Sequence, residues 1–347
     1  MLMAVAVAMA VAVAGAAAKF EELRERPAGD FPALPALGGT ESRAAWAGRR
    51  VELRRAWDEI IGPLPAQRVG LKTETVSTEE LPDHSRVLLR YNVDEKTRTE
   101  AYLLLPKGFA RKRPGMVCLH PTSKATLRTV VGLEGREQVH YALQLVRRGY
   151  VCIAPRNFLW EAEGETWQQA AERVKRDGWK TGMARMVFDA IRATDVLLER
   201  PEVDGKRVGT IGHSLGGKEA LYHAAFDERI AAAISCEGGV GLKLSNWEAD
   251  WYLGGQIKSP EFGRDNHEVM SLIAPRALLV IGGESADGAF SWPFIDACLP
   301  VWRLYGAEER LGLLRHDEKH NFPSPGPMRE RVWEWLDAQL ASEKKGE

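Results

Sequence analysis

The sequence has little cysteine, no excess of either charge and no second long apolar run. Four Cys in 347 residues, with no C-x-x-C pair, exclude a disulfide scaffold and provide no zinc or thiol redox motif. The 47 Lys and Arg are balanced by 48 Asp and Glu, so the net charge of -1 gives no field that would attract nucleic acid or an anionic membrane. We therefore expect a globular protein without a nucleic-acid partner.

The one apolar run stands at the start of the chain. Residues 1–18 are dominated by Ala and Val, and the charged stretch Lys19 to Arg26 follows. Ala14-Gly15-Ala16 has the small-x-small pattern of a signal peptidase site, although no Lys or Arg precedes the run. We predict a signal peptide over residues 1–18 and a secreted or periplasmic protein with no stable membrane insertion after cleavage. An uncleaved anchor or a misassigned start is the alternative.

The rest of the chain has the pattern of an α/β protein. Residues 19–70 are predicted to be a linker and helical extension, with an amphipathic helix over Arg43–Ile61. Strands are predicted next over 71–76, 86–93 and 100–105, as an antiparallel entry to a sheet. From Gly115 onward short apolar runs alternate with segments of helical period, which predicts a mostly parallel sheet with helices on both faces.

The predicted strands of this second part are 116–119, 150–154, 208–211, 230–235 and 277–281. The predicted helices are 138–148, 182–200, 218–225, 293–305 and 327–341. Residues 239–262 fit neither pattern and are predicted to form a cap or pocket insert within a catalytic domain over 71–343.

A nucleophile motif lies between a predicted strand and a predicted helix. Gly212-His213-Ser214-Leu215-Gly216 matches G-x-S-x-G, and the strand 208–211 leads directly into it. A sharp turn at this place holds a serine in a strained, exposed conformation, so Ser214 is the candidate nucleophile. An ordinary glycine-rich turn is the alternative.

A serine hydroxyl needs a general base and an acid that orients the base. His320 is the candidate base, because Pro323 indicates a loop there, and His316 is its rival. Asp287 is the candidate acid, since it follows a strand and gives the chain order Ser, Asp, His. Glu237, at the end of the preceding strand, is the alternative acid.

Glu284, in the same loop as Asp287, is a further candidate acid. His213 and His223 flank the serine closely and are predicted to be packing residues. An oxyanion needs two N–H donors. The Leu215 N–H is the first candidate and the Thr122 N–H the second, because Pro121 has none, with Ser123 as the fallback.

These motifs resemble the α/β-hydrolase superfamily, and within it the bacterial serine hydrolases that are dienelactone-hydrolase-like and acetylxylan-esterase-like. The resemblance runs from about Glu100 to Leu340 and is carried by the segments 117–122, 148–155, 201–217, 274–279 and 320–323. Dienelactone hydrolases proper use a cysteine nucleophile, and Ser214 stands in its place. The resemblance therefore implies ester hydrolysis.

A second resemblance is to glucuronoyl esterases, which have a Lys four residues after the serine and a catalytic Glu on the following strand. Lys218 and Glu237 occupy those positions, but Leu215 stands where those enzymes have Arg. This reading makes Lys218 a candidate substrate-binding residue. A solvated helix residue is the alternative for Lys218.

Together these features predict a serine esterase that cleaves carboxylic esters through an acyl-enzyme intermediate, without metal or organic cofactor. Carbohydrate-linked esters are a candidate substrate class. Trp247 and Trp251, with Trp160 and Trp167, are predicted either to stack on a sugar or aryl alcohol or to pack the cap. A glucuronoyl-esterase-like enzyme with Glu237 as acid, and a non-catalytic binding protein on the same fold, are the alternatives.

Overall fold

A single sheet organises the molecule. The computed structural model describes residues 20–108 and 111–341. Within these residues nine strands join in the order β1-β2-β3-β5-β4-β6-β7-β8-β9. They are β1 (Glu74–Glu80), β2 (His84–Asn92), β3 (Arg98–Pro106), β4 (Arg113–Leu119), β5 (Val151–Pro155), β6 (Val203–His213), β7 (Ile230–Cys236), β8 (Ala277–Gly282) and β9 (Leu311–Arg315).

The sheet changes character along its width. β1, β2, β3 and β5 pair antiparallel in that order, whereas every pair from β5 through β4 to β9 is parallel. The prediction of an α/β fold with a mostly parallel sheet is therefore confirmed. In such a sheet the carboxyl ends of the parallel strands share one edge, which is where functional side chains collect.

Helices cover both faces of this sheet. They are α1 (Arg43–Ile61), α2 (Leu127–Val130), α3 (Tyr141–Arg147), α4 (Trp167–Arg176), α5 (Gly182–Leu198), α6 (Leu215–Phe226), α7 (His267–Ser271), α8 (Trp292–Tyr305) and α9 (Pro327–Gln339). Successive residues of β4 enter different cores, Val117 and Leu119 one, Met116 and Cys118 the other, as the strand's period of two requires. Two hydrophobic cores therefore sandwich the sheet.

The N-terminal extension is part of these cores. The helix predicted over Arg43–Ile61 is confirmed with the same bounds, and Ser42 caps its N-terminus by accepting a hydrogen bond from Ala45 N–H at its side chain. Trp46 and Trp57 are fully buried in the larger core, while Phe20 is buried in the smaller one. The extension thus completes both faces of the sheet.

Several local predictions differ from the structure, since β9, α2, α4 and α7 were not predicted and the first strand is displaced. The first strand begins at Glu74 rather than Leu71, because Leu71 is buried in the core and accepts a backbone hydrogen bond from Asn92 N–H before the ladder starts. All seven residues of β1 are exposed, so this edge strand has no apolar alternation to mark it. Helix α4 was not predicted, because only Ala170, Ala171 and Val174 of it are buried.

The predicted signal peptide, residues 1–18, lies outside the described residues. Within 20–108 and 111–341 the structure contains no helix that is both long and apolar enough to span a membrane. The predicted insert 239–262 is irregular, with a short 3-10 turn at Gly255–Lys258. Trp247, Tyr252 and Leu253 of this insert are buried in the larger core.

Candidate active site

Ser214 lies on a strained turn between β6 and α6. Its φ is +57° and its ψ is −115°, a combination of backbone angles that residues other than glycine rarely adopt. The turn is held because Ser214 N–H donates a 2.8 Å hydrogen bond to the carbonyl of Cys236 at the end of β7. The serine side chain is thereby presented, partly exposed, at the carboxyl end of the sheet.

The two glycines of the motif allow the backbone to approach itself. A Cβ on Gly212 would lie 2.0 Å from the Gly216 carbonyl oxygen, and a Cβ on Gly216 would lie 2.1 Å from the Leu119 carbonyl oxygen. No side chain fits at either position. The turn is therefore pressed against the end of β4, where the loop 120–123 begins.

His320 bridges the serine and a carboxylate. Its Nε2 lies 2.8 Å from Ser214 Oγ, and its Nδ1 lies 3.0 Å from Glu237 Oε2. The imidazole is partly exposed, with 43% of its side-chain surface accessible, whereas Glu237 is fully buried. The three side chains thus form one hydrogen-bonded line from solvent to the interior.

Glu237 follows β7 directly and is fixed by the loop after β8. Its φ is +49°, and its carboxylate accepts hydrogen bonds from Ala286 N–H at 2.7 Å and from Gly283 N–H. A Cβ on Gly283 would lie 1.9 Å from the carbonyl oxygen of Lys319, so this loop also packs against the residue before His320. One loop therefore positions both the carboxylate and the imidazole.

Asp287 does not serve as the partner of His320, which corrects our expectation. Its carboxylate accepts hydrogen bonds from Gly239 N–H at 2.7 Å, Val240 N–H at 2.8 Å and Ser291 Oγ–H at 2.9 Å. Burial raises the pKa of Asp287 to about 6. The physical reason is that Asp287 points back to the loop after β7.

The other candidates from the sequence also have different partners. Glu284 accepts hydrogen bonds from Ala289 N–H. His316 is buried and its Nδ1 accepts a hydrogen bond from Glu318 N–H at 3.2 Å. His223 is buried between Thr194 and Thr210.

His213 packs beside His320. Its ring centroid lies 5.1 Å from that of His320. Burial, followed by the nearby His320, lowers the pKa of His213 to about 3. His213 is therefore a neutral packing partner at ordinary pH.

The loop after β4 has a defined orientation because of His120, which was not among the site residues predicted from the sequence. Asn157 N–H donates to His120 Nε2 at 3.2 Å, so Nδ1 carries the proton and donates to the Pro121 carbonyl at 2.9 Å. Burial lowers the pKa of His120 to about 4, which keeps this tautomer neutral.

This bond sets the direction of the next N–H group. In a trans peptide the carbonyl and the N–H point to opposite sides. Because the Pro121 carbonyl faces the buried imidazole, the Thr122 N–H faces away from it, and Thr122 itself is exposed. Leu215, the first residue of α6, has an N–H in the helical turn that lacks an intrahelical acceptor.

Lys218 and Trp247, both candidates for substrate binding, are buried. Lys218 Nζ donates to the Gly238 carbonyl at 2.6 Å and to Ser245 Oγ at 2.9 Å, and it lies 5.2 Å from the Trp247 ring centroid. Trp247 has no exposed surface and its Nε1–H donates to the Gly239 carbonyl. Trp247 therefore packs the insert and does not stack on a ligand, because its ring has no solvent face.

Trp251 has a different environment. It is partly exposed, and its ring centroid lies 5.4 Å from that of Trp167. No group of three or more His, Cys, Asp or Glu side chains in the described ranges is arranged to hold a metal ion.

A serine on a strand-to-helix turn, with a histidine and a carboxylate in loops that follow later strands of a mostly parallel sheet, defines the α/β-hydrolases. This chain has that fold. Residues 100–257 match the family model described as Dienelactone hydrolase family. This match confirms the resemblance seen in the sequence over that segment, which is less than half of the chain.

Individual relatives cover the chain to different extents. YtaP of Bacillus subtilis (strain 168) is 25% identical over 246 residues, which cover 67% of this chain and 80% of YtaP. The 4-O-methyl-glucuronoyl methylesterase 1 of Sodiomyces alcalophilus is 30% identical over 163 residues, but the match spans only 32% of that protein's length. The glucuronoyl esterase from Solibacter usitatus has the same fold, with a TM-score of 0.69 and 21% identity over 91% of this chain and 99% of its own.

Proposed function

We propose that this protein is a carboxylic ester hydrolase that uses Ser214 as nucleophile, His320 as general base and Glu237 as the acid that orients the base. The hydrogen-bonded line from Ser214 Oγ through His320 to the buried Glu237 carboxylate carries the proposal. Glu237, the alternative acid of the sequence analysis, replaces Asp287 in this assignment.

The reaction follows from the two bonds of His320. Ser214 Oγ attacks the ester carbonyl carbon while its proton passes to His320 Nε2, and the Glu237 carboxylate stabilises the imidazolium that forms. His320 then gives the proton to the leaving alkoxide as the carbon–oxygen bond breaks. Water, deprotonated by the same histidine, hydrolyses the acyl-Ser214 ester and restores the serine.

The oxyanion is assigned to the N–H groups of Leu215 and Thr122. Two observations support this assignment: Leu215 follows the nucleophile at the start of α6, and His120 turns the Thr122 N–H away from the interior. The contact of Gly216 with the Leu119 carbonyl brings the two donor segments together.

Esters of carbohydrates are the proposed substrate class. This rests on relatives named as glucuronoyl methylesterases and on solved neighbours such as the glucuronoyl esterase of Solibacter usitatus and acetyl xylan esterase 1 of Thermoanaerobacterium, the latter with a TM-score of 0.53 and 17% identity. The second candidate is a glucuronoyl ester specifically. The contact between Glu237 and His320 favours it, because the resemblance to those enzymes implied a catalytic Glu on this strand.

Labelling with a fluorophosphonate probe and turnover of p-nitrophenyl acetate test the hydrolase. We expect labelling and burst release of p-nitrophenol from the wild type, both lost in Ser214→Ala and retained in Ser77→Ala, an exposed serine of β1. Absence of labelling in folded wild-type protein would instead support the non-catalytic binding protein. Release of methanol from methyl glucuronate distinguishes the second candidate, and turnover of acetylated sugars alone would reject it.

Export of the protein remains a proposal that rests on the leader at residues 1–18. Expression with the native N-terminus and sequencing of the mature chain test it. A mature N-terminus near Ala17 is expected, and retention of Met1 would argue against cleavage.

A further inference from the structure

A cleft of about 690 Å³ opens beside the loop that carries Thr122. Its lining includes Lys124 and Thr126, which follow that loop directly. It also includes Trp160 and Glu161, which lie between β5 and α4, and Trp167, the first residue of α4. The proposed chemistry does not use this cleft, and two of its lining residues, Trp160 and Trp167, were predicted from the sequence either to stack on a sugar or aryl alcohol or to pack the cap.

A row of aromatic rings leads into this cleft from the loop after β4, whose first residue, His120, adjoins the nucleophile turn: a Cβ on Gly216 would lie 2.9 Å from the His120 carbonyl oxygen. The ring centroid of His120 lies 5.3 Å from that of Trp160. Trp160 lies 5.9 Å from Trp167, and Trp167 lies 5.4 Å from Trp251. Trp167 is 38% exposed, unusual for so large an apolar side chain. The row thus joins the site to an open indole surface.

The tryptophan segment is held in a fixed orientation by ion pairs beneath it. Arg173 of α4 donates to Glu161 at 2.9 Å, to Glu165 at 3.0 Å and to the Phe158 carbonyl at 3.0 Å. Arg185, whose side chain is fully buried, donates to the same Glu161. A surface segment that needed only to connect β5 and α4 would not require buried charges, which are costly to desolvate.

The start of α4 adds a second constraint on Trp167. Thr166 and Gln169 form a reciprocal capping box, which fixes the first helical residue, Trp167, relative to the helix axis. Together with the contacts of its ring with Trp160 and Trp251, this fixed backbone preorganises the indole, so little conformational entropy is lost when a ligand stacks on it.

The cleft combines rigid indoles with polar groups of both signs. Arg156 and Glu100, paired at 2.8 Å, and Lys124 line it together with the tryptophans. Pyranose rings present an apolar C–H face and a rim of hydroxyl groups, and such a lining satisfies both. A strongly anionic or purely apolar ligand would leave one of these features without a partner.

We infer that this cleft, with Trp167 as its stacking surface, binds the pyranose chain that carries the ester cleaved at Ser214. The inference rests on the proposed function, which supplies the ester. It extends that function by assigning the chemical class, an oligosaccharide chain rather than a single sugar or a small aryl ester, and the place where that chain lies.

Affinity electrophoresis in gels containing soluble glucuronoxylan, methyl-esterified pectin or hydroxyethyl cellulose tests the cleft without catalysis, using the Ser214→Ala protein. At least one glycan should retard it. Trp167→Ala should weaken that binding about tenfold, and Trp167→Phe should retain much of it, because a smaller ring still stacks. Met328→Ala, on α9 and 39% exposed, is the matched control and should bind as the parent does.

Retardation by none of the three glycans, or equal weakening in Trp167→Ala and Met328→Ala, would overturn the inference. Its failure is separable from failure of the proposed function. A wild type that is labelled at Ser214 and turns over p-nitrophenyl acetate, but binds no glycan, rejects the cleft alone. A glycan-binding protein whose Ser214 is never labelled rejects the hydrolase and leaves the cleft standing.

Discussion

Glu237 and Asp287 each accept backbone hydrogen bonds from the loop that carries the other. Glu237, at the end of β7, accepts backbone hydrogen bonds from Gly283 and Ala286 in the loop after β8. Asp287, in that loop, accepts backbone hydrogen bonds from Gly239 and Val240 in the loop after β7. Both carboxylates are buried, but only Glu237 reaches His320. Glu237 is therefore placed to orient His320, whereas Asp287 connects the two loops and stabilises them.

We therefore expect isosteric substitutions of these two residues to have different effects on kcat and on the free energy of unfolding. Glu237→Gln should lower kcat about a thousandfold or more, because an amide no longer fixes the tautomer and charge of His320. Asp287→Asn should lower kcat less than tenfold and instead reduce the free energy of unfolding by about 1 to 3 kcal/mol, because its amide group cannot accept all the N–H bonds. Steady-state kinetics and urea unfolding measure both. The reverse pattern would restore Asp287 as the acid.

The contribution of Asp287 to the free energy of unfolding should also depend on pH. Burial raises the pKa of Asp287 to about 6, above its ordinary value of 3.8, so the folded protein keeps a proton that the unfolded chain loses. This group's contribution to the free energy of unfolding is thus present below about pH 4 and is lost as the pH rises to 6. The difference between wild type and Asp287→Asn, measured by urea unfolding at pH 4, 5, 6 and 7, should fall across that window. A constant difference would contradict it.

His120 is expected to act as a positioning residue. Its Nδ1–H holds the Pro121 carbonyl and so directs the Thr122 N–H, and loss of this bond leaves the donor unaligned. His120→Leu should lower kcat about tenfold with little change in KM, and His120→Asn, whose amide N–H stands near the place of Nδ1–H, should recover part of the loss. Equal kcat values in the two variants, or a change confined to KM, would reject this role.

The glycines of the nucleophile turn and of α1 should respond oppositely to alanine. Gly216→Ala places a Cβ 2.1 Å from the Leu119 carbonyl oxygen and should abolish activity by displacing the turn. Gly48 lies inside α1 with no atom within 4 Å of its added Cβ, so Gly48→Ala should raise the free energy of unfolding by about 0.5 to 1 kcal/mol with unchanged kcat. Thermal unfolding and turnover report both. An active Gly216→Ala would show that the turn can relax.

The parts of the fold that could be predicted are those set by local sequence. β6, the serine turn and α6 follow from a buried run, two glycines and a helical period, and His320 follows from its loop after the last strand. β1 could not be placed to the residue, because an exposed edge strand pairs by backbone hydrogen bonds and leaves no pattern in its side chains.

The partner of His320 could not be chosen from the sequence for a physical reason. Glu237 and Asp287 both follow neighbouring parallel strands, so strand position alone makes them equivalent. The choice depends on the turn at Glu237, with its φ of +49°, and on which backbone N–H groups each carboxylate meets. Trp247 posed a similar problem, since the irregular insert has no period that distinguishes a buried ring from an exposed one.

Lys218 provides a prediction at alkaline pH. Burial lowers the pKa of Lys218 to about 8, below its ordinary value of 10.5, so between these values the unfolded chain binds a proton that the folded protein has released. The wild type should therefore gain stability relative to Lys218→Met by roughly 1 kcal/mol per pH unit above pH 8. Below pH 8 the difference between the two proteins should be flat, because both states of the wild type carry the charge.

Urea unfolding at pH 7, 8, 9 and 10 measures this difference, and Lys206→Met, on an exposed stretch of β6, is the matched control. The pH dependence of this stability difference distinguishes a buried amine from one that reaches solvent. If Nζ serves mainly as a buried link between α6 and the insert, through Gly238 and Ser245, the stability difference rises with pH as stated. If the difference follows that of Lys206→Met at every pH, the amine reaches solvent in the folded protein and does not form the buried link.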